Sequence, residues 1–218
     1  MTEKKPKMRW FHFARRLCRI LCTLFFRIEV NGLENIPDQG GFMLIGNHQS
    51  VLDPVLCGMC IKRNTYYLAR DTLFKNKFFG RLISSVNTMP VKRGKPGINT
   101  MKKVISILKA ENGVCLFPEG TRSSDGKIAA FKPGFGLLCR RGKAAVVPVV
   151  IDGAFECWPR HKKIFSIGAK IVISYGKCLT EEQVKQMNDR ELAEKLTDIM
   201  RKMQNEIRIK RRKEPYVY

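Results

Sequence analysis

From Phe42 onward, short apolar runs alternate with stretches of helical periodicity, and no other feature of the sequence limits the fold as much. Runs at 42–45, 65–69, 88–91, 114–117, 145–151 and 169–174 have strand length and composition, and helical patterns at 54–62, 74–85, 98–109 and 135–141 separate the earlier ones. Strands joined through helices build an α/β fold with a largely parallel or mixed central sheet flanked by helices. Ligands are then expected beyond the carboxyl ends of the strands. A chain of 218 residues with 44% hydrophobic residues can bury one substantial core. The expected division is an N-terminal amphipathic helix over 1–30 and one domain over 31–218, entered through a turn-rich link at 35–41 that holds Pro37 and Gly40-Gly41. Residues 181–212 read as one or two further helices, with Leu192, Leu196, Ile199 and Met203 in a packing stripe.

Three strand ends carry chemistry. After the run 42–45 comes Asn47-His48-Gln49-Ser50-Val51-Leu52-Asp53-Pro54, in which Asp53 reads as a helix cap and Pro54 as the first helical residue. There His48 is placed to act as a general base, with Asp53 holding its second ring nitrogen. An ordinary loop histidine beside a cap accounts for the stretch equally well. The second end is Phe117-Pro118-Glu119-Gly120-Thr121-Arg122-Ser123. Gly120 lets main-chain N–H groups approach an anion, Thr121 and Ser123 offer hydroxyls, and Arg122 offers a fork matched to phosphate. Glu119 fits such a site if it holds Arg122 or a substrate hydroxyl; a polar turn with an incidental ion pair is the alternative. The third end, Met89 to Lys95, adds Lys92, Arg93 and Lys95 to a glycine-containing loop. P-loop, dinucleotide and nucleophile-elbow signatures are absent from the sequence.

Charge narrows the partners. With 41 Lys and Arg against 19 Asp and Glu, the net charge of +22 favours nucleic acid, an acidic membrane surface or phosphorylated substrates. Residues 9–27 form a helical pattern with Trp10, Phe13, Ala14, Leu17, Ile20, Leu21 and Leu24 on one face and His12, Arg15, Arg16, Arg19, Thr23 and Arg27 on the other; Phe26 fits neither. This pattern suits the plane of an anionic bilayer, with Trp10, Phe13, Arg15, Arg16, Leu17, Arg19 and Leu21 as the contact residues. Packing on the domain's own core would use the same stripe. A nucleic-acid-binding module also suits the charge, but no stacking or zinc-finger pattern accompanies it, and Phe78-Phe79 reads as part of a buried run. The eight cysteines read as reduced thiols in a cytosolic setting, and Cys57-Gly58-Met59-Cys60 as helix packing.

Taken in order, these motifs resemble the 1-acylglycerol-3-phosphate (lysophosphatidic acid) acyltransferase family. The family's histidine-four-residues-aspartate motif is similar to Asn47 to Asp53, and its glutamate-glycine-threonine-arginine block to Phe117 to Ser123. Its arginine motif resembles Pro90-Val91-Lys92-Arg93-Gly94, its late proline-bearing strand resembles Val146-Val147-Pro148-Val149-Val150, and Phe131-Lys132-Pro133-Gly134 resembles the segment after the glutamate block. Lys92 stands where the family often has an acidic residue. The resemblance implies acyl transfer from a thioester to the free hydroxyl of lysophosphatidic acid without a covalent enzyme intermediate. It gives His48 and Asp53 the catalytic roles, and Glu119, Gly120, Thr121, Arg122 and Arg93 the substrate phosphate. Acyl-CoA or acyl carrier protein is the implied cosubstrate, with no metal or other cofactor. Glycerol 3-phosphate or another lysophospholipid remains open as the acceptor. Main-chain N–H groups near the Asp53 helix start are candidates for the oxyanion, and a peripheral or monotopic place on the cytoplasmic face of the cell membrane is expected.

Overall fold

A computed structural model describes residues 8–92 and 97–218. Seven strands, β1 (Arg27–Asn31), β2 (Gly41–Gly46), β3 (Thr65–Arg70), β4 (Thr88–Val91), β5 (Gly113–Leu116), β6 (Ala144–Asp152) and β7 (Lys170–Tyr175), form one sheet in the order β1-β7-β6-β2-β5-β3-β4. Every pairing is parallel except β6 with β7, so the sheet is mixed. The helices are α1 (Met8–Phe25), α2 (Asp53–Gly58), α3 (Lys77–Ser85), α4 (Ile98–Lys109), α5 (Phe135–Gly142), α6 (Ala154–Cys157), α7 (Glu181–Lys185) and α8 (Asp189–Lys210).

Both faces of the sheet are covered, which is why its central strand reads as an uninterrupted apolar run. In β2, Met43 and Ile45 pack with Val104 and Leu108 of α4, Leu138 of α5 and Leu192 of α8. Phe42 and Leu44 point the other way, to Cys22 of α1, Leu56 and Cys57 of α2 and Ala154 of α6. All four are fully buried, and truncating any one to Ala would cost about 2–5 kcal/mol. The last two helices start where their sequences dictate. Thr180 with Gln183, and Asn188 with Glu191, form reciprocal capping boxes.

The strand β1, which includes residues 30 and 31, pairs with β7 at the sheet edge. The structure departs from the sequence expectations in three places. Phe26, the misfit of the first helix, is a core residue. Arg15 donates to the carbonyls of Ile61 and Arg63 and so fastens α1 to the chain after α2 instead of pointing wholly outward. Phe78 is 86% exposed and Phe79 44%, so the pair is not buried. All eight cysteines are free thiols; the contact with Cys115 and then burial raise the pKa of Cys57, and burial raises that of Cys60.

Candidate active site

The β2–α2 loop is shaped by side chains that replace main-chain pairing. Where β2 ends, the Asn47 amide donates to the Ile151 carbonyl at 2.9 Å and accepts the Ile151 N–H at 2.7 Å, continuing the ladder toward β6. Gln49 donates to the Gly126 carbonyl at 2.7 Å and accepts from the Phe155 N–H at 3.3 Å. His48 therefore sits between two residues whose side chains are fixed in the protein. Its ring stacks on Phe117 with centroids 4.6 Å apart. Gly46 makes room for that ring, since a Cβ there would fall 2.8 Å from Phe117 Cε1.

Asp53 is the first residue of α2, with Pro54 next, but its side chain does not cap the helix. Oδ2 turns back to the loop and accepts the N–H groups of Gln49 at 2.6 Å and Ser50 at 2.7 Å, with His48 Nδ1 at 2.7 Å. An oxygen that two main-chain donors already address is an acceptor, so Nδ1 carries the proton and Nε2 presents its lone pair. Burial raises the Asp53 pKa, while the contacts with His48, Ser50 and Gln49 pull it down. Four N–H groups near the α2 start are already used within the loop: those of Gln49 and Ser50 go to Asp53, that of Leu52 to Ser50 Oγ and that of Asp53 to the Ser50 carbonyl.

The loop after β5 runs beside His48. Glu119 Oε1 accepts the His48 N–H at 2.7 Å, Oε2 accepts the Ala129 N–H at 3.1 Å, and the Ser123 N–H donates to the His48 carbonyl at 2.7 Å. Glu119 thus makes no ion pair with Arg122; it braces the main chain of the histidine. Burial pushes its pKa up to about 7 against the pull of those N–H donors. Gly120 is exposed at φ 73°, in the left-handed region that glycine occupies without strain. Thr121 is exposed and Arg122 half-buried, and among the described residues Arg122 has no hydrogen-bond or ion-pair partner. Arg93 lies outside the described residues.

The structure brings His48, Asp53, Glu119 and the loop through Arg122 together, and sequence reasoning missed several of their supports. Asn47 and Gln49 flank His48 in the motif itself, so their polarity in a buried loop was the available signal. Lys132 was a second: its Nζ lies 3.1 Å from where a Gly120 Cβ would stand, adding a cation beside that glycine.

A family model described as Acyltransferase matches residues 27–152. The 1-acyl-sn-glycerol-3-phosphate acyltransferase of Bacillus subtilis (strain 168) is 27% identical over 191 residues, 87% of this chain and 92% of the relative. The chloroplastic 1-acyl-sn-glycerol-3-phosphate acyltransferase LPAT1 of Arabidopsis thaliana is 29% identical over 176 residues, 78% of this chain but 47% of the relative, so the chain spans about half the length of that protein. The crystal structure of the 1-acyl-sn-glycerophosphate (LPA) acyltransferase PlsC from Thermotoga maritima superposes with a TM-score of 0.75 at 25% identity, covering 90% of this chain and 79% of that one. With the family model extending over more than half of its residues and the motif loops meeting at one site, the chain belongs to the acyltransferase family.

Proposed function

We propose that the chain is a 1-acylglycerol-3-phosphate O-acyltransferase, moving an acyl group from a thioester to the free hydroxyl of lysophosphatidic acid to give phosphatidic acid. The observation that carries this reading is the His48 Nδ1 to Asp53 Oδ2 contact of 2.7 Å, in a loop clamped by Glu119. With Nδ1 protonated and held, Nε2 takes the proton of the acceptor hydroxyl as its oxygen attacks the thioester carbonyl. The buried Asp53 carboxylate stabilises the imidazolium. As the tetrahedral intermediate collapses, the C–S bond breaks and the departing thiolate receives that proton, leaving an ester, a free thiol and a regenerated base. Gly120, Thr121 and Arg122, with Arg93, hold the phosphate of the acceptor, and Arg122, which has no partner among the described residues, supports this role because such a guanidinium is available to an oxyanion. Acyl-CoA and acyl carrier protein both meet the chemistry required of the donor.

The reaction takes place on an anionic membrane surface, with the chain peripheral or monotopic. Among the described residues no helix is long and apolar enough to cross a membrane. What supports surface binding is that Phe13, Leu17, Ile20 and Leu24 of α1 are exposed, facing away from the core that Phe11 and Cys22 enter. Exposed Phe78, Phe79 and Leu82 of α3 join them, and Trp10 Nε1 donates to Ser85 Oγ across the two helices at 2.9 Å. Trp10 and Leu21 edge this platform, and Arg16 and Arg19 flank it.

The test is a matrix of the purified chain with lysophosphatidate or glycerol 3-phosphate against acyl-CoA and acyl carrier protein donors, with His48→Ala as control. Lysophosphatidate should be the preferred acceptor, and the variant should lose roughly 10²- to 10⁴-fold in turnover. Preference for glycerol 3-phosphate, or near-normal turnover by the variant, would overturn the assignment.

A further inference from the structure

A crevice of about 650 Å³ lies between α1 and the chain after α2, lined by Arg9, His12, Arg15, Arg16, Arg19 and Lys62 together with Phe13, Met59, Cys60 and Ile61. Among the described residues no acidic side chain lines it. Arg15, Arg16 and Arg19 share one side of a helix at spacings where like charges destabilise it, so the cluster is a cost to the isolated fold. Arg15 is fixed by the carbonyls of Ile61 and Arg63, and it in turn fixes one wall. Among the described residues, Arg9, Arg16 and Arg19 have no hydrogen-bond or ion-pair partner. His12 Nδ1 is buried and also without one. A preformed concave wall of guanidinium groups, most of them without partners among the described residues, is the donor set of an oxyanion.

We propose that this crevice binds the phosphate group of an anionic phospholipid of the membrane. The proposal rests on the membrane reading above and gives it a specific lipid contact. Position on α1 selects the source of the phosphate. Proceeding around the helix from the exposed apolar face of Phe13, Leu17, Ile20 and Leu24, the next residues on one flank are those of α3's neighbour Trp10, and on the other Arg16, His12 and Arg19 of the crevice. A bilayer lying on the apolar face puts its headgroups at the level of that second flank. Arginine suits the role better than lysine, because its planar fork takes two phosphate oxygens at once.

The experiment measures cosedimentation of the full chain with neutral galactolipid vesicles, which lack phosphate, doped to equal charge with either phosphatidic acid or oleic acid. The chain should bind the phosphatidic acid vesicles about tenfold more tightly. Arg16→Lys/Arg19→Lys, which keeps the charge, should lose most of that preference, whereas Lys195→Gln/Lys202→Gln, two exposed α8 sites, should keep it. Equal binding to the two anionic surfaces, or a preference unchanged by the lysine substitutions, would overturn the proposal. Displacement from phosphatidic acid vesicles by coenzyme A, beyond that caused by sodium chloride of the same ionic strength, would reassign the crevice to a soluble phosphate and overturn the lipid assignment. Binding is read without turnover, so its failure leaves the acyl-transfer reading standing, and a failed acyltransferase assay leaves this result intact.

Discussion

Glu119 Oε1 accepts the main-chain N–H of His48 at 2.7 Å, so the acidic residue of one loop positions the backbone of the other. Burial pushes the Glu119 pKa up to about 7, above the 4.5 of a free glutamate. Between those values the folded state holds a proton that the unfolded chain releases. The stabilisation is therefore complete below about pH 4.5 and lost as pH rises through about 7. The stability difference between wild type and Glu119→Gln, whose side chain does not ionise, should fall by about 2–3 kcal/mol from pH 5 to pH 8. Urea unfolding of both proteins at the two pH values measures it, and a difference that does not change with pH would remove the buried-carboxylate account.

Asp53→Asn separates the carboxylate charge from the geometry. His48 Nδ1 and the N–H groups of Gln49 and Ser50 all meet Oδ2, so an amide oxygen placed there keeps the three contacts, loses the charge that stabilises the imidazolium, and leaves its NH₂ group at the buried, unpartnered Oδ1 position. Turnover should drop roughly 10³- to 10⁴-fold with the fold retained. Far-UV circular dichroism and steady-state rates check both halves. A folded variant with wild-type turnover would show that the Asp53 charge does not stabilise the imidazolium.

How much of this was legible in the sequence depended on where each partner lay. The His48 and Asp53 pairing was readable because both residues sit in one strand-to-helix connection, five positions apart. The role of Glu119 was not, because its partners are N–H groups of His48 and Ala129, and main-chain donors leave no mark in a sequence. The β2 to β5 core announced itself as continuous apolar runs, whereas β1, an edge strand with alternating exposure, carries too few apolar residues to stand out from a turn. Phe78-Phe79 misled for a related reason. Adjacent aromatics suggest burial, but on α3 no described element covers Phe78, whose exposure is decided by tertiary packing alone.

That exposure is itself testable. Phe78→Ser/Leu82→Ser removes apolar area that is in water in the free protein, so stability should change by less than about 1 kcal/mol. Insertion of the same side chains into a bilayer interface contributes roughly 1–2 kcal/mol each, so vesicle affinity should fall at least about tenfold. Cosedimentation and urea unfolding on the same preparations give the two numbers. Lost stability with unchanged vesicle binding would mean that these residues pack against protein instead.

Arg122 decides between a phosphate anchor and a residue that only shapes its loop. It is half-buried, next to the Ser123 N–H that donates to the His48 carbonyl, and among the described residues it has no partner of its own. Truncation therefore removes nothing that the fold uses, and Arg122→Ala should unfold at the same urea concentration as wild type. If the guanidinium takes the acceptor's phosphate, a charge-assisted pair of about 1.5–3 kcal/mol is lost, and kcat/KM for lysophosphatidate falls about 10- to 150-fold. The effect should appear mainly in KM for the acceptor, because the thioester makes no contact with this group in the proposed reaction. Arg122→Lys should recover only part of it, since an ammonium supplies the charge without the two-oxygen fork. Equal rises in KM for acceptor and donor, or full recovery by lysine, would argue that the residue acts through general charge at the mouth of the site and not by holding the phosphate.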